Sequence, residues 1–346
     1  MYSPLGKTQK ATEARRFLLE AIKAGRLDYI QTATAQFGVT RQAIHRHLSY
    51  LVEHGYLVAE GSTRARRYSI GPNRWYAASY DPSVADESSA YRRDFHFVFA
   101  DLPKNIEEIC HYGFTEIFNN AIDHSEGTEI DVSAERTDSH VAISISDNGE
   151  GIFLRIARLL KLPDPRESLL ELSKGKLTTD PANHTGEGIF FTSRAFDQFF
   201  IRSDDLAFTH VDRHDNDFLF HGEKVTSGTT VIMEISTQSE KSLKQIFDAY
   251  SSGPDDYHFD KTVVPVKLAL YEGERLVSRS QAKRILNRVE RFSRVVLDFE
   301  GVDSIGQAFA DEVFRVFKNA HPDIDLRHDN ANEEVLKMIR RAYSNG

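Results

Sequence analysis

Apolar residues in the first fifty positions recur at helical spacing. Within residues 12–24, Ala14, Phe17, Leu18, Ala21 and Ile22 fall on one side at about 100° per residue, which predicts an amphipathic helix. Residues 29–37 predict a second helix, ended by Gly38. A third begins with Thr40 as N-cap; Ala43, Ile44, Leu48, Leu51 and Val52 face inward, and Gly55 closes it. Residues 56–60 and 67–70 then predict two strands around the loop 61–66. Further along, Phe114, Ile117, Phe118, Ala121 and Ile122 leave one helix mostly apolar, whereas Val141, Ile143 and Ile145 alternate as in a half-buried strand. A helix is expected from the Gly186-Glu187-Gly188 segment through Phe196, and a strand over 231–235. Beyond 263 the element types alternate: strand 263–271, helix 278–292, buried strand 294–299, helix 306–318, short strand 323–327 and helix 332–343. That order predicts an α/β module with a parallel or mixed sheet.

Periodicity is weak over 76–92, a stretch rich in Ser, Ala and acids, and over 238–262, which carries Ser251-Ser252-Gly253-Pro254-Asp255-Asp256. Both read as linkers. The chain therefore divides into 1–75, 93–237 and 263–346, and its 346 residues suffice for two or three domains of ~100–200 residues each. The expected fold class is α+β, multi-domain.

Polar residues interrupt the apolar helix around Phe118 in one place. At about 100° per residue, Glu116, Asn120 and Asp123 lie at roughly 0°, 40° and −20°, so two acids and an amide share one narrow face. Desolvated carboxylates are costly unless paired, protonated or bound to a metal, and a magnesium nucleotide would supply the reason. Two glycine-bearing segments follow, Asp147-Asn148-Gly149-Glu150-Gly151-Ile152 and Gly186-Glu187-Gly188-Ile189. Each alone is ordinary: Asn-Gly is a turn signal, and a Glu four residues before an Asn is a common helical face. Their joint occurrence in this order is what carries weight.

Together they resemble the GHKL ATPases, the superfamily of type II topoisomerases, Hsp90-like chaperones, mismatch-repair ATPases, histidine kinases and anti-sigma serine kinases, over about residues 93–237. The resemblance implies a Bergerat-type α/β sandwich that binds ATP with Mg²⁺. It makes Glu116 the carboxylate that activates the attacking water or hydroxyl, and Asn120 the Mg²⁺ ligand. Asp123 falls where the family often keeps an acid near adenine and ribose. Asp147 matches the acceptor for the adenine amino group, with Gly149, Gly151 and Ile152 around the base. Gly186, Glu187, Gly188 and Ile189 match the phosphate-facing helix start, and Thr229 the second adenine contact. Between 153 and 185 the family places a mobile lid, in which Lys174 and Lys176 are expected to clamp phosphate. His184, two residues before Gly186, reads as a surface histidine.

Charge divides the chain unevenly. Residues 1–75 hold twelve Lys/Arg against five Asp/Glu, about +7, whereas the whole chain carries −9, leaving the remainder near −16. A basic module in an acidic chain points to an anionic partner. The run Gln36-Phe37-Gly38-Val39-Thr40-Arg41-Gln42-Ala43-Ile44-His45-Arg46 resembles the helix-turn-helix of winged-helix regulators. The resemblance implies double-stranded DNA as partner, base-facing Arg41, Gln42, His45 and Arg46, and Arg64, Arg66 and Arg67 on phosphates from the wing.

The segment containing Asp303-Ser304-Ile305-Gly306 resembles STAS-like domains related to anti-anti-sigma proteins. Ile305 occupies the position where those proteins carry the phosphorylated hydroxyl, which argues against simple phosphorylation there and leaves Ser304 as the neighbouring hydroxyl. A protein partner through this domain and a homodimer are the expected associations. Hydrophobic content of 40%, a mean hydropathy of −0.44 and no apolar run near the ~20 residues needed to span a bilayer predict a cytoplasmic chain without a membrane partner. The single cysteine, Cys110, cannot form an internal disulfide. The function these readings imply is an ATP-binding and hydrolysing DNA-binding regulator. An anti-sigma-type serine/threonine kinase, a non-hydrolysing nucleotide sensor and a stress or antiviral effector stay open beside it.

Overall fold

A computed structural model describes residues 5, 8–62, 66–177, 186–211, 216–221, 227–253, 256–270 and 274–344. The chain opens with α1 (Gln9–Lys23), α2 (Tyr29–Phe37) and α3 (Arg41–Glu53), followed by the antiparallel pair β1 (Leu57–Glu60) and β2 (Arg67–Ile70). Capping explains the helix limits. The Thr8 and Thr40 hydroxyls accept from Ala11 N–H and Ala43 N–H at the starts of α1 and α3, and Gly38 ends α2 in the left-handed region at φ +60°. Leu18, Ala33, Ile44, Leu48 and Leu51 form the core of this unit.

Residues 76–92 are not a linker. Strand β3 (Arg74–Tyr80) pairs antiparallel with β4 (Ile130–Arg136). Its Trp75 and Ala77 enter the N-terminal core, while Tyr76, Ala78 and Tyr80 pack against the core of the next unit. Both faces of the strand are covered, so its sequence shows no apolar–polar alternation. The helices α4 (Glu87–Ala90) and α5 (His96–Phe99), joined by a π-helical turn over Tyr91–Phe95, complete this stretch. They bring Tyr91, Phe95, Val98 and Phe99 into the same central core.

That core lies between a seven-stranded antiparallel sheet and the helices α6 (Lys104–His124) and α9 (Gly188–Ala195), with α7 (Ile152–Leu160) and α8 (Glu167–Lys174) following β5. The remaining strands are β5 (His140–Asp147), β6 (Gln198–Ser203), β7 (Leu206–Val211), β8 (Asn216–His221) and β9 (Thr229–Ser236), in the order β3-β4-β5-β9-β6-β7-β8. Val141, Ile143 and Ile145 are buried at 0–1% exposure and the residues between them are not, as the alternation predicts.

The stretch 238–262 is likewise structured. It contains α10 (Leu243–Ala249) and the hairpin β10 (Ser251–Gly253) and β11 (Asp256–Phe259); Pro254 and Asp255 lie outside the described residues. The C-terminal unit is a parallel sheet of β12 (Lys261–Pro265), β13 (Arg294–Asp298) and β14 (Asp325–Asp329). Around it stand α11 (Arg279–Leu286), α12 (Gln307–Asp311), α13 (Lys318–Ala320) and α14 (Glu333–Ser344). Two expected elements are shorter than predicted. The strand over 263–271 stops at Pro265 and continues as a 3₁₀ turn. The helix over 278–292 stops at Leu286, because Arg288 adopts φ +63°.

Trp75 is the chain's one tryptophan and sits 6% exposed where the N-terminal unit meets the sheet. Leu57→Ala, at 1% exposure in the same cluster, is expected to cost about 2–5 kcal/mol. Denaturant unfolding followed by Trp75 emission measures it. Coincident loss of emission and helical circular dichroism will show that the junction unfolds with the rest.

Candidate nucleotide site

A cavity of about 340 Å³ opens between α6, α7, α9 and the ends of β5 and β9. Glu116, Asn120, Asp147, Gly151, Ile152, Gly186, Gly188, Ile189 and Thr229 line it. Segments more than eighty residues apart in sequence thus contribute to one wall, through the antiparallel register Ser146↔Thr230.

Asp147 ends β5. Its Oδ1 accepts from Gly149 N–H at 2.9 Å and from Thr229 N–H at 3.3 Å. Burial raises its pKa above the ordinary aspartate value, and the backbone donors oppose the shift without cancelling it. Thr229 in turn accepts from Ile152 N–H at 2.9 Å through Oγ1, tying the start of α7 to β9. Gly149 does not line the cavity. A Cβ there would run into the Ser125 carbonyl oxygen, so the residue permits the close turn that places its N–H on Asp147. Gly188 shows a second close approach, since its Cβ would collide with the Glu116 carboxylate. The candidate base and the start of α9 are therefore in van der Waals contact.

Asp123 and Glu187 stand away from the cavity lining. Asp123 shares the stripe of Glu116 and Asn120 but lies a turn further on and is exposed. Glu187 occupies the N-cap position of α9. Lys174 and Lys176, expected on phosphate, do not line the cavity. Lys174 is 2% exposed and pairs with Glu171 at 2.7 Å. Lys176 donates to the Arg291 carbonyl and lies over the Phe292 ring, 4.9 Å from its centroid. Both face the C-terminal unit, because α8 and the residues after it are packed there. Asn119, His124 and Arg155 line the cavity unanticipated. His124 follows Asn120 by four residues, a spacing that signals the same helix face. Arg155, which pairs with Glu126, comes from α7 and carries no sequence signal.

The donor set suits a magnesium nucleotide. A half-buried acceptor, Asp147, and the glycine-bearing start of α9 line the same cavity. Among the described residues no group of three or more His, Cys, Asp or Glu could hold a metal ion.

Residues 106–194 match the family model of histidine kinase-, DNA gyrase B- and HSP90-like ATPases. The chain carries a GHKL-type ATPase domain. Residues 281–336 match a STAS-like domain of unknown function, DUF4325. No curated protein matches the chain. The GHKL match covers α6, Asp147 with its glycines, and the Gly186–Gly188 turn. The STAS-like match runs from α11 into α14. Among the described residues no helix is long and apolar enough to cross a membrane.

On the N-terminal unit, Arg41, Gln42, His45 and Arg46 of α3 are exposed, Gln42 and Arg46 on the side away from the buried Ile44, Leu48 and Leu51, and Arg66 and Arg67 are exposed beside the β1–β2 loop. Arg64 and His184 lie outside the described residues.

The ionised Asp147 accepts an amino proton more strongly than the neutral acid, which presents an O–H donor on one of its two oxygens. Nucleotide affinity is therefore expected to fall on acidification at a pH above the 3.8 of an ordinary aspartate, and Asp147→Asn should remove that titration along with most of the affinity. Stability moves the other way. With the folded pKa raised, the folded state holds this proton more tightly than the unfolded one, so this group's contribution falls as pH rises through the window. Binding titrations of a fluorescent ATP analogue, paired with thermal melts at each pH, separate the two trends.

Proposed function

We propose that the protein binds and hydrolyses Mg-ATP, and that nucleotide occupancy controls how residues 1–75 engage double-stranded DNA. The observation that carries the reading is the convergence of Glu116, Asn120, Asp147, Gly186, Gly188 and Thr229 on one cavity from four separate elements. In it Glu116 accepts the proton of the attacking water. Asn120 orients the metal, and Asp147 with Thr229 selects the base. Bound Mg²⁺ supplies charge neutralisation on the phosphates. The chain acts in this reading as a homodimer, with the STAS-like unit available to a protein partner.

DNA binding is supported by the excess positive charge of residues 1–75 and by the exposed face of α3. Three helices followed by an antiparallel pair also have the order of a winged helix. Duplex binding should weaken with salt at a log–log slope of about −0.9 per phosphate neutralised. Changing Arg41, Arg46, Arg66 and Arg67 together to Ala should flatten that slope. Fluorescence anisotropy across a salt series measures it.

A second reading, a serine/threonine kinase of anti-sigma type, is favoured by one observation: Ser304 is exposed beside the buried Ile305 in the STAS-like unit. Incubation with Mg²⁺ and γ-³²P-ATP separates the readings. The ATPase reading expects free phosphate from the wild type, a loss of about 10²–10⁴-fold in Glu116→Ala with nucleotide binding kept, and loss of Mg-dependent binding in Asn120→Ala. Label on the protein establishes the kinase and makes Ser304→Ala the next variant. Binding without either product leaves a nucleotide sensor.

A further inference from the structure

Helix α8 belongs to two cores. Its Leu169 and Leu172 join the core of the ATPase domain, and its Leu170 joins that of the STAS-like unit. All eight of its residues are buried. Ser168 Oγ donates to the Phe153 carbonyl within the ATPase domain, whereas Lys174 and Glu171 find partners in the STAS-like unit.

The Lys174 ammonium donates to Glu171 Oε1 at 2.7 Å, to the Asn287 carbonyl at 2.8 Å and to the Arg284 carbonyl at 3.2 Å. Those two carbonyls lie at the C-terminal end of α11, where helix geometry leaves acceptors without partners. A lysine from one unit thus caps a helix of the other. Glu171 accepts from Asn287 Nδ2 at 3.2 Å and lies 3.6 Å from Arg288 Nε. Thr262 Oγ1 donates to the Lys174 carbonyl at 2.7 Å, and Arg288 Nη2 to the Lys176 carbonyl at 3.1 Å. A buried pair left uncompensated is strongly destabilising, so these outside partners fix where α8 can sit.

The opposite side of the same helix faces the cavity. Leu172 and Leu177 line it, as does Phe190, whose ring lies 4.6 Å from that of Phe259 just ahead of β12. We propose that the STAS-like unit is the seat of one wall of the nucleotide pocket, and that Asn287 and Arg288, which do not line that pocket, are positioning residues for ATP binding. Any partner that draws the α11 corner away from α8 then lowers nucleotide affinity, which makes the STAS-like surface an input to the ATPase. The inference rests on the nucleotide reading of the cavity.

The test uses the full chain, with Arg288→Ala, Arg288→Lys and Asn287→Ala. Hydrogen exchange is followed over residues 167–177, and Mg-dependent affinity is measured with a fluorescent ATP analogue. The proposal expects faster exchange in α8 with unchanged protection in β5 and β9, a Kd raised about tenfold in Arg288→Ala, the same direction in Asn287→Ala, and substantial recovery in Arg288→Lys. An unchanged Kd overturns it, whether or not α8 loses protection. A wild type that binds no nucleotide overturns the reading of the cavity and this proposal with it. That failure is recognisable because α8 exchange in the variants still reports whether the corner seats the helix.

Discussion

The antiparallel register of β5 on β9 places a desolvated carboxylate opposite a threonine, and the pocket is arranged around that pair. Asp147 ends one strand and Thr229 begins the other. The Thr229 amide and the Gly149 amide supply the donors that partly offset burial of the carboxyl group. The Thr229 hydroxyl then fixes the start of α7 through Ile152. Sliding β9 by one residue would turn the Thr229 side chain to the other face of the sheet and take away the contact that positions α7. Another wall comes from α6, whose apolar circumference holds it in the core and leaves Glu116 and Asn120 facing the cavity.

Elements shared between cores join the three units. Strand β3 gives alternate side chains to the N-terminal core and to the central one, and it stands two strands from Asp147 in the register Tyr80↔Ile130↔Asp147. Helix α8 does the equivalent between the ATPase domain and the STAS-like unit. A strand or helix buried on two sides cannot move relative to one core without disturbing the other. The flanking units thereby share elements with the ATPase domain, one through a strand of its sheet and one through α8. The proposed coupling between nucleotide and the flanking units would run through these two elements.

The sequence was legible where chemistry constrains the backbone. Glycines, a polar stripe on an apolar helix and an acid at a strand end each leave a local mark, and Glu116, Asn120, Asp147, Gly186 and Gly188, which line one cavity, carry such marks; Thr229 enters only through the family resemblance. It was illegible where the deciding contact comes from a distant element. Residues 76–92 read as a linker because a strand covered on both faces shows no alternation. Lys174 and Lys176 read as phosphate ligands because the resemblance sets a lid over this basic run, whereas α11 supplies carbonyls for Lys174 that no local pattern announces. Arg155 escaped notice for the same reason.

Titration calorimetry of the full chain with ATP and with GTP, each with Mg²⁺, tests the central claim most directly. A half-buried acceptor at Asp147 predicts one saturable heat with ATP and none of comparable affinity with GTP, whose oxo group at the equivalent position cannot donate. Equal affinities for the two nucleotides, or no heat from either, would contradict the account.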